Sequence, residues 1–198
     1  TTCLFFVGLL TGYAQLTDDF TDGDFTSNPT WSGDAGLFTI SSGELNSQSL
    51  GAATYYLSTP SSLAANAQWE FFIDLQFGTS GANFVDVYLM SDATDLNTTS
   101  NGYFVRLGGT PDEISLYSVV GGAPTIIIDG VDGLINSSSS NPFNIRVTRD
   151  VSNLWNLEYF INCPLKAFIV MNGFLASLII PLLIVDTFVK PINGRGPT

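Results

Sequence analysis

Trp69, Phe71, Ile73, Leu75 and Phe77 alternate with Glu70, Phe72, Asp74 and Gln76, a two-residue period held over nine positions. Only an extended strand puts successive side chains on opposite faces, so this stretch commits the chain to a sheet with one apolar face. Val85, Val87 and Leu89 alternate in the same way with Asp86, Tyr88 and Met90, and Tyr103, Val105 and Leu107 alternate with Phe104 and Arg106. Further strands are expected at 37–40, 55–58, 114–119, 125–128, 143–148 and 154–159. Gly78-Thr79-Ser80-Gly81, Asn101-Gly102, Gly108-Gly109, Gly121-Gly122 and the polar tract 136–141 separate them with turn residues. No helical pattern of 10–15 residues intervenes, which disfavours parallel crossover units. The expected fold is all-β, an antiparallel sandwich.

Two flanks depart from this pattern. Leu4 to Leu10 is a short apolar run followed by Gly12-Tyr13-Ala14, small residues at the −3 and −1 positions of a signal-peptidase site. Residues 1–14 are therefore expected to be a signal peptide with a truncated start, cleaved between Ala14 and Gln15. The run is too short to span a bilayer, which needs about 20 apolar residues. The domain is expected over 15–161. Beyond it, 162–198 is an apolar tail whose stretch 167–185 carries no charge. Three readings of that stretch stand side by side: a transmembrane anchor, two buried strands that finish the sandwich, or an out-of-frame end foreign to the domain.

Composition excludes several chemistries. The chain has no histidine, so it lacks the imidazole base of a Ser-His-Asp or Cys-His site and the commonest ligand of catalytic zinc. Its two cysteines are Cys3 and Cys163, and loss of the leader would remove one of them. Between Gln15 and Ile161, 17 acidic residues face Arg106, Arg146 and Arg149, a net charge of −14. Such a domain repels nucleic-acid phosphates.

Three groups of residues carry candidate chemistry. Glu70 and Asp74 lie four apart on one strand face, but Phe72 occupies the position between them where jelly-roll glycoside hydrolases carry a third acid. They are expected to be solvated carboxylates, and the chain is expected not to be an enzyme. Asp18, Asp19, Asp22 and Asp24 cluster in the opening loop and could hold calcium, a hard cation that takes carboxylate oxygens. The spacing is not that of an EF-hand, and no other cofactor is expected. Tyr88 and Tyr103 are the tyrosines singled out for stacking on a ligand, whereas Trp69 and Trp155 follow the apolar face and are expected in the core.

The opening DDFTDGDFTSNPTWSGD (18–34), followed by YYLSTPS, QWEFFIDLQF, VDVYLMSD, NGYFVRLGG, DEISLY and FNIRVTRD, resembles the N-terminal domain of large secreted Bacteroidetes surface proteins. That domain is similar to concanavalin A-like, laminin-G-like jelly-roll sandwiches. The resemblance covers about 15–157. It implies a lectin-like jelly roll at the cell surface or secreted, with a carbohydrate or surface polymer as partner. It further implies a rim that in laminin-G-like sandwiches often binds calcium. The expected function is a non-catalytic exported module that binds carbohydrate or a surface polymer. A structural spacer or adhesin domain is the alternative, and a glycoside hydrolase a distant third. Nucleic acid is excluded as a partner, and a membrane enters only if 167–185 is an anchor.

Overall fold

A computed structural model describes residues 16–62 and 64–161 in full, and the backbone of 168–171 and 194–195. The leader 1–14, its junction at Ala14/Gln15, both cysteines and most of the segment 167–185 lie outside the described residues. The strands are β1 (Ser32–Gly33), β2 (Phe38–Ser41), β3 (Glu44–Ser47), β4 (Leu57–Ser58), β5 (Ala67–Leu75), β6 (Phe84–Ser91) and β7 (Asn101–Gly108). They continue as β8 (Glu113–Val120), β9 (Ala123–Ile128), β10 (Pro142–Arg149), β11 (Leu154–Phe160), β12 (Phe168–Met171) and β13 (Gly194–Arg195). Helical structure among the described residues is confined to two single 3-10 turns, Ala35–Leu37 and Leu96–Thr98.

The alternation at 69–77 is realised in β5, where Trp69, Phe71, Ile73 and Leu75 are all buried. β3 escaped the sequence reading because Glu44-Leu45-Asn46-Ser47 holds one apolar residue. Its signal was the turn before it: Ser42 (φ 57°) and Gly43 (φ 76°) both adopt the left-handed conformation. Two consecutive positive φ values suit the tight twisted hairpin that joins β2 to β3.

Eleven of the thirteen strands form two sheets. One has seven strands in the order β13-β11-β10-β5-β12-β3-β2, the other four in the order β6-β7-β8-β9, and β1 and β4 pair separately. Every described pairing is antiparallel except those of β12, which runs parallel to both β3 and β5. By register Ile169 lies level with Ile73 on one side and Leu45 on the other. Phe168–Met171 is thus sheet backbone, and among the described residues no helix is long and apolar enough to cross a membrane.

The two sheets enclose one continuous cluster. Leu45, Trp69, Phe71, Ile73, Ile145, Val147 and Trp155 from the larger sheet join Val85, Val87, Leu89, Val105, Leu107, Ile114 and Leu116 from the smaller one. Burying apolar area on this scale, at about 25 cal/mol per Å², is the main force that closes an all-β sandwich.

The opposite face of the larger sheet differs from expectation. Glu70 is not a solvated carboxylate: it is 5% exposed, with Gln68, Asn144 and Arg146 buried beside it. Arg146 on β10 is its register partner and donates through Nε to Glu70 Oε1 at 2.5 Å. Arg146 Nη1 also lies 3.7 Å from Glu158 Oε2 on β11. A carboxylate taken out of water is tolerated only when paired in this way. Asp74, four residues on, instead accepts from Asn141 N at 2.7 Å and from the Ser140 hydroxyl. The two carboxylates thus serve separate partners, Glu70 the Arg146 guanidinium and Asp74 the turn at 140–141.

Candidate functional site: an aromatic shelf on the four-stranded sheet

On the four-stranded sheet the side chains pointing away from the core are neither small nor uniformly polar. β6 presents Phe84, Asp86 and Tyr88, β7 presents Phe104 and Arg106, and β8 presents Glu113, Ser115, Tyr117 and Val119. Register draws them into two rows. Asp86 pairs with Arg106 and Arg106 with Ser115, while Tyr88 pairs with Phe104 and Phe104 with Tyr117. The aromatic row is closely stacked, with centroids 5.0 Å apart for Tyr88–Phe104 and 4.9 Å for Phe104–Tyr117, the latter pair nearly parallel at 5°. In the charged row Arg106 grips Asp86 with two hydrogen bonds, from Nε to Oδ1 and from Nη2 to Oδ2, each 2.7 Å. The guanidinium lies over Phe84 at 4.0 Å and reaches Tyr117 at 5.2 Å and Phe104 at 5.4 Å. Cation–π contact and a bidentate carboxylate together fix its plane.

A loop layer closes one end of this row. Tyr56, Leu96 and Val119 pack with Tyr88, Phe104 and Tyr117 in a small second cluster. Asp34 seats Tyr56 by accepting its backbone N–H at 3.0 Å on Oδ2 and by donating its own N–H to the Tyr56 carbonyl at 2.9 Å. Gly33 is required just before it. Its φ is +132°, and a Cβ there would collide with the Tyr56 carbonyl oxygen and lie 2.9 Å from its ring. Leu96 is held by a turn that Asp95 caps, accepting from Asn97 N at 3.0 Å. Phe104 and Tyr88 are buried by these neighbours, while Phe84, Arg106, Tyr117 and Tyr56 keep part of their surface open to solvent.

Burial pushes the Tyr88 hydroxyl up to about 12, with the Asp86 charge adding to the effect and a hydrogen bond with Thr99 opposing it. Tyr117 is raised chiefly by burial as well. For Arg106 burial would weaken the charge, but the Asp86 carboxylate outweighs it and holds the guanidinium above its ordinary value. The shelf is thus an array of neutral phenols around one internally neutralised ion pair.

The two tyrosines singled out from the sequence are not brought together. Tyr88 is on the shelf, whereas Tyr103 is on the core side of β7, with its ring 4.6 Å from Trp155 and the Arg149 guanidinium 5.3 Å above it. Phe104 is the ring that lies beside Tyr88. Trp155 is buried and stacked on Trp69 at 5.7 Å. Phe104, Arg106 and Phe84 were missed as site residues. Reading the off-core face of one strand against that of its neighbour would have found them.

The opening aspartates each close their own turn. Asp18 Oδ1 accepts from Phe20 N at 2.9 Å and its Oδ2 from the Trp31 indole at 2.7 Å. Asp19 accepts from Thr21 N and Oγ1, Asp22 from Asp24 N, and Asp24 from Thr26 N and Oγ1 and from the Ser27 hydroxyl. Among the described residues no group of three or more His, Cys, Asp or Glu side chains could hold a metal ion. The arrangement of Asp18, Asp19, Asp22 and Asp24 therefore does not fit a calcium site.

Two of these carboxyls are set in opposite directions. Burial raises Asp18 above 3.8, against the hydrogen bonds from Phe20 and Trp31, and hydrogen bonds from Ser27 and Thr26 lower Asp24 to about 2. A raised folded-state value means that the folded chain binds the proton more tightly. Asp18 thus favours the fold below 3.8 and loses that contribution as pH rises through its folded value. Asp24 does the reverse, helping above 3.8 and losing its effect as pH falls towards 2. Carboxyl-carbon NMR across pH 1.5–6 is expected to show Asp24 titrating near 2 and Asp18 above 3.8, with the Trp31 indole proton shifting in step with Asp18. Coincident titration of the two would contradict this assignment.

Fold and shelf together define the class: an all-β sandwich, antiparallel except at β12, with an aromatic, charge-paired outer face. No family model, curated protein or solved structure matches the chain.

Proposed function

We propose that the chain is a non-catalytic exported surface module of the concanavalin A-like jelly-roll kind, and that it binds carbohydrate or another surface polymer. The observation that supports this reading is the partly open row of Tyr117, Arg106, Phe84 and Tyr56, backed by the buried pair Tyr88 and Phe104. Sugar rings present flat C–H faces and peripheral hydroxyls. A rigid aromatic row answers the first, and phenols with a fixed guanidinium answer the second. The leader-like residues 1–14 favour export, and the commitment of Glu70 to Arg146 and of Asp74 to the turn at 140–141 speaks against glycosidase chemistry.

The test is a glycan array probed with the intact chain, with and without calcium, alongside Tyr117→Ala. Truncating an anchoring aromatic typically costs about 2 kcal/mol of binding, roughly thirtyfold in Kd. Tyr117→Ala should lose binding by that order while its far-UV circular dichroism stays unchanged. Wild-type chain that binds no glycan in either condition would overturn the carbohydrate reading and leave the spacer role.

A further inference from the structure

We infer that the polymer accepted by the shelf is uncharged, and that glycans bearing uronate, sulfate or sialate are rejected; the inference rests on the carbohydrate reading above. Aromatic rows with an arginine are an ordinary way to capture an acidic sugar, so the decisive matter is whether the Arg106 charge is uncommitted. It is not. One of its two forking edges, Nε with Nη2, is bonded to Asp86 at 2.7 Å, and the guanidinium face lies 4.0 Å from Phe84, so the Nη1 side can still donate to a neutral hydroxyl but offers an anion a charge already neutralised. The Asp86 side chain is only 7% exposed, so an incoming carboxylate or sulfate could take its place only by leaving a buried charge without its partner.

The surroundings reinforce this. Glu113, 3% exposed, and Asp129 act on the Tyr117 hydroxyl along with Asp86, so the open end of the row lies in a field of carboxylates. The other two arginines of residues 15–161 are elsewhere: Arg146 pairs with Glu70 on the larger sheet, and Arg149 lies over Tyr103 and Trp155 on the core side. Residues 15–161 carry a net charge of −14. An acidic polymer therefore meets a repulsive field on approach and, among the described side chains of the shelf, no uncommitted cation on arrival. A neutral polymer loses nothing on either count.

Affinity electrophoresis of the intact chain decides the matter. The gels contain laminarin, xylan or galactomannan as neutral polymers and polygalacturonate, alginate or heparan sulfate as acidic ones, at 20 mM and 500 mM salt. The expected result is retardation by at least one neutral polymer and by no acidic polymer at either salt concentration. Persistence of the rejection at high salt, where the Debye length falls to a few ångströms, would show that it comes from the committed guanidinium and not only from net charge. Retardation by an acidic polymer as strong as by any neutral one would overturn the inference while leaving the carbohydrate reading intact. No retardation by any polymer would overturn both. Asp86→Asn, which keeps the shape but frees the Arg106 charge, is expected to gain at least tenfold in retardation by polygalacturonate. A folded Asp86→Asn chain with no such gain would refute the role given to Arg106. The wild-type comparison stands even if that variant fails to fold.

Discussion

Trp69→Ala is expected to destabilise the domain by about 3–5 kcal/mol, the range for removing a large aromatic from a packed core. Trp69 is 1% exposed, at the start of the central strand β5, and stacks on Trp155 at 5.7 Å with an interplanar angle of 19°. Trp155 in turn carries Tyr103 at 4.6 Å, and the Arg149 guanidinium lies 5.2 Å from its ring. Removing the first ring opens a void at one end of a four-member stack that bridges β5, β11, β7 and β10. Urea unfolding followed by the fluorescence of the remaining tryptophans measures the loss. Val151→Ala, on a residue that is 78% exposed, should change stability by less than about 0.5 kcal/mol. A Trp69→Ala loss no larger than that of this control would mean that the stack does not organise the core.

The second large effect is expected at Arg146. Arg146→Met leaves Glu70 buried with no cation beside it, and breaking a buried pair from one side costs about 3–5 kcal/mol. The same principle sets a sharper condition. Replacing both partners, Glu70→Leu with Arg146→Met, should recover most of the loss, because apolar side chains of similar volume need no compensation. Urea unfolding of the two single variants and the double variant closes the cycle. Additive losses would mean that the pair contributes nothing as a pair. Glu158, 3.7 Å from Arg146 and one-quarter exposed, is the weaker member, and Glu158→Gln should cost far less.

How far the sequence reached depended on the range of the signal. Alternation is local, so β5, β6, β7, β8, β10 and β11 were legible from the chain alone, as was the core position of Trp69 and Trp155. Which face of one strand meets which face of another is not local. It depends on register: the pairing of Tyr88 with Phe104 and of Phe104 with Tyr117 is what sets three rings in one row. Tyr103 keeps to the Val105 and Leu107 side of its strand, as the alternation has it, and so lies against Trp155 and not beside Tyr88. Glu70 was misjudged for want of register: a period of two shows that it points away from the core, but not that Arg146 lies across from it. The opening aspartates looked like a cation cage because composition cannot reveal that each carboxylate already serves its own backbone turn.

The parallel placement of β12 bears on how the molecule comes into being. The β2–β3 hairpin lies near the start of the described chain, yet within the larger sheet its only bridge to β5, β10 and β11 is β12, from beyond residue 160. Until Phe168–Met171 has left the ribosome, β3 and β5 each present an unpaired edge, the kind of edge that recruits other chains. Completion of the larger sheet is therefore a late, long-range event, costly in loop entropy and slow to form. While it is pending, the four-stranded sheet with its aromatic shelf already has every strand that its own pairing needs.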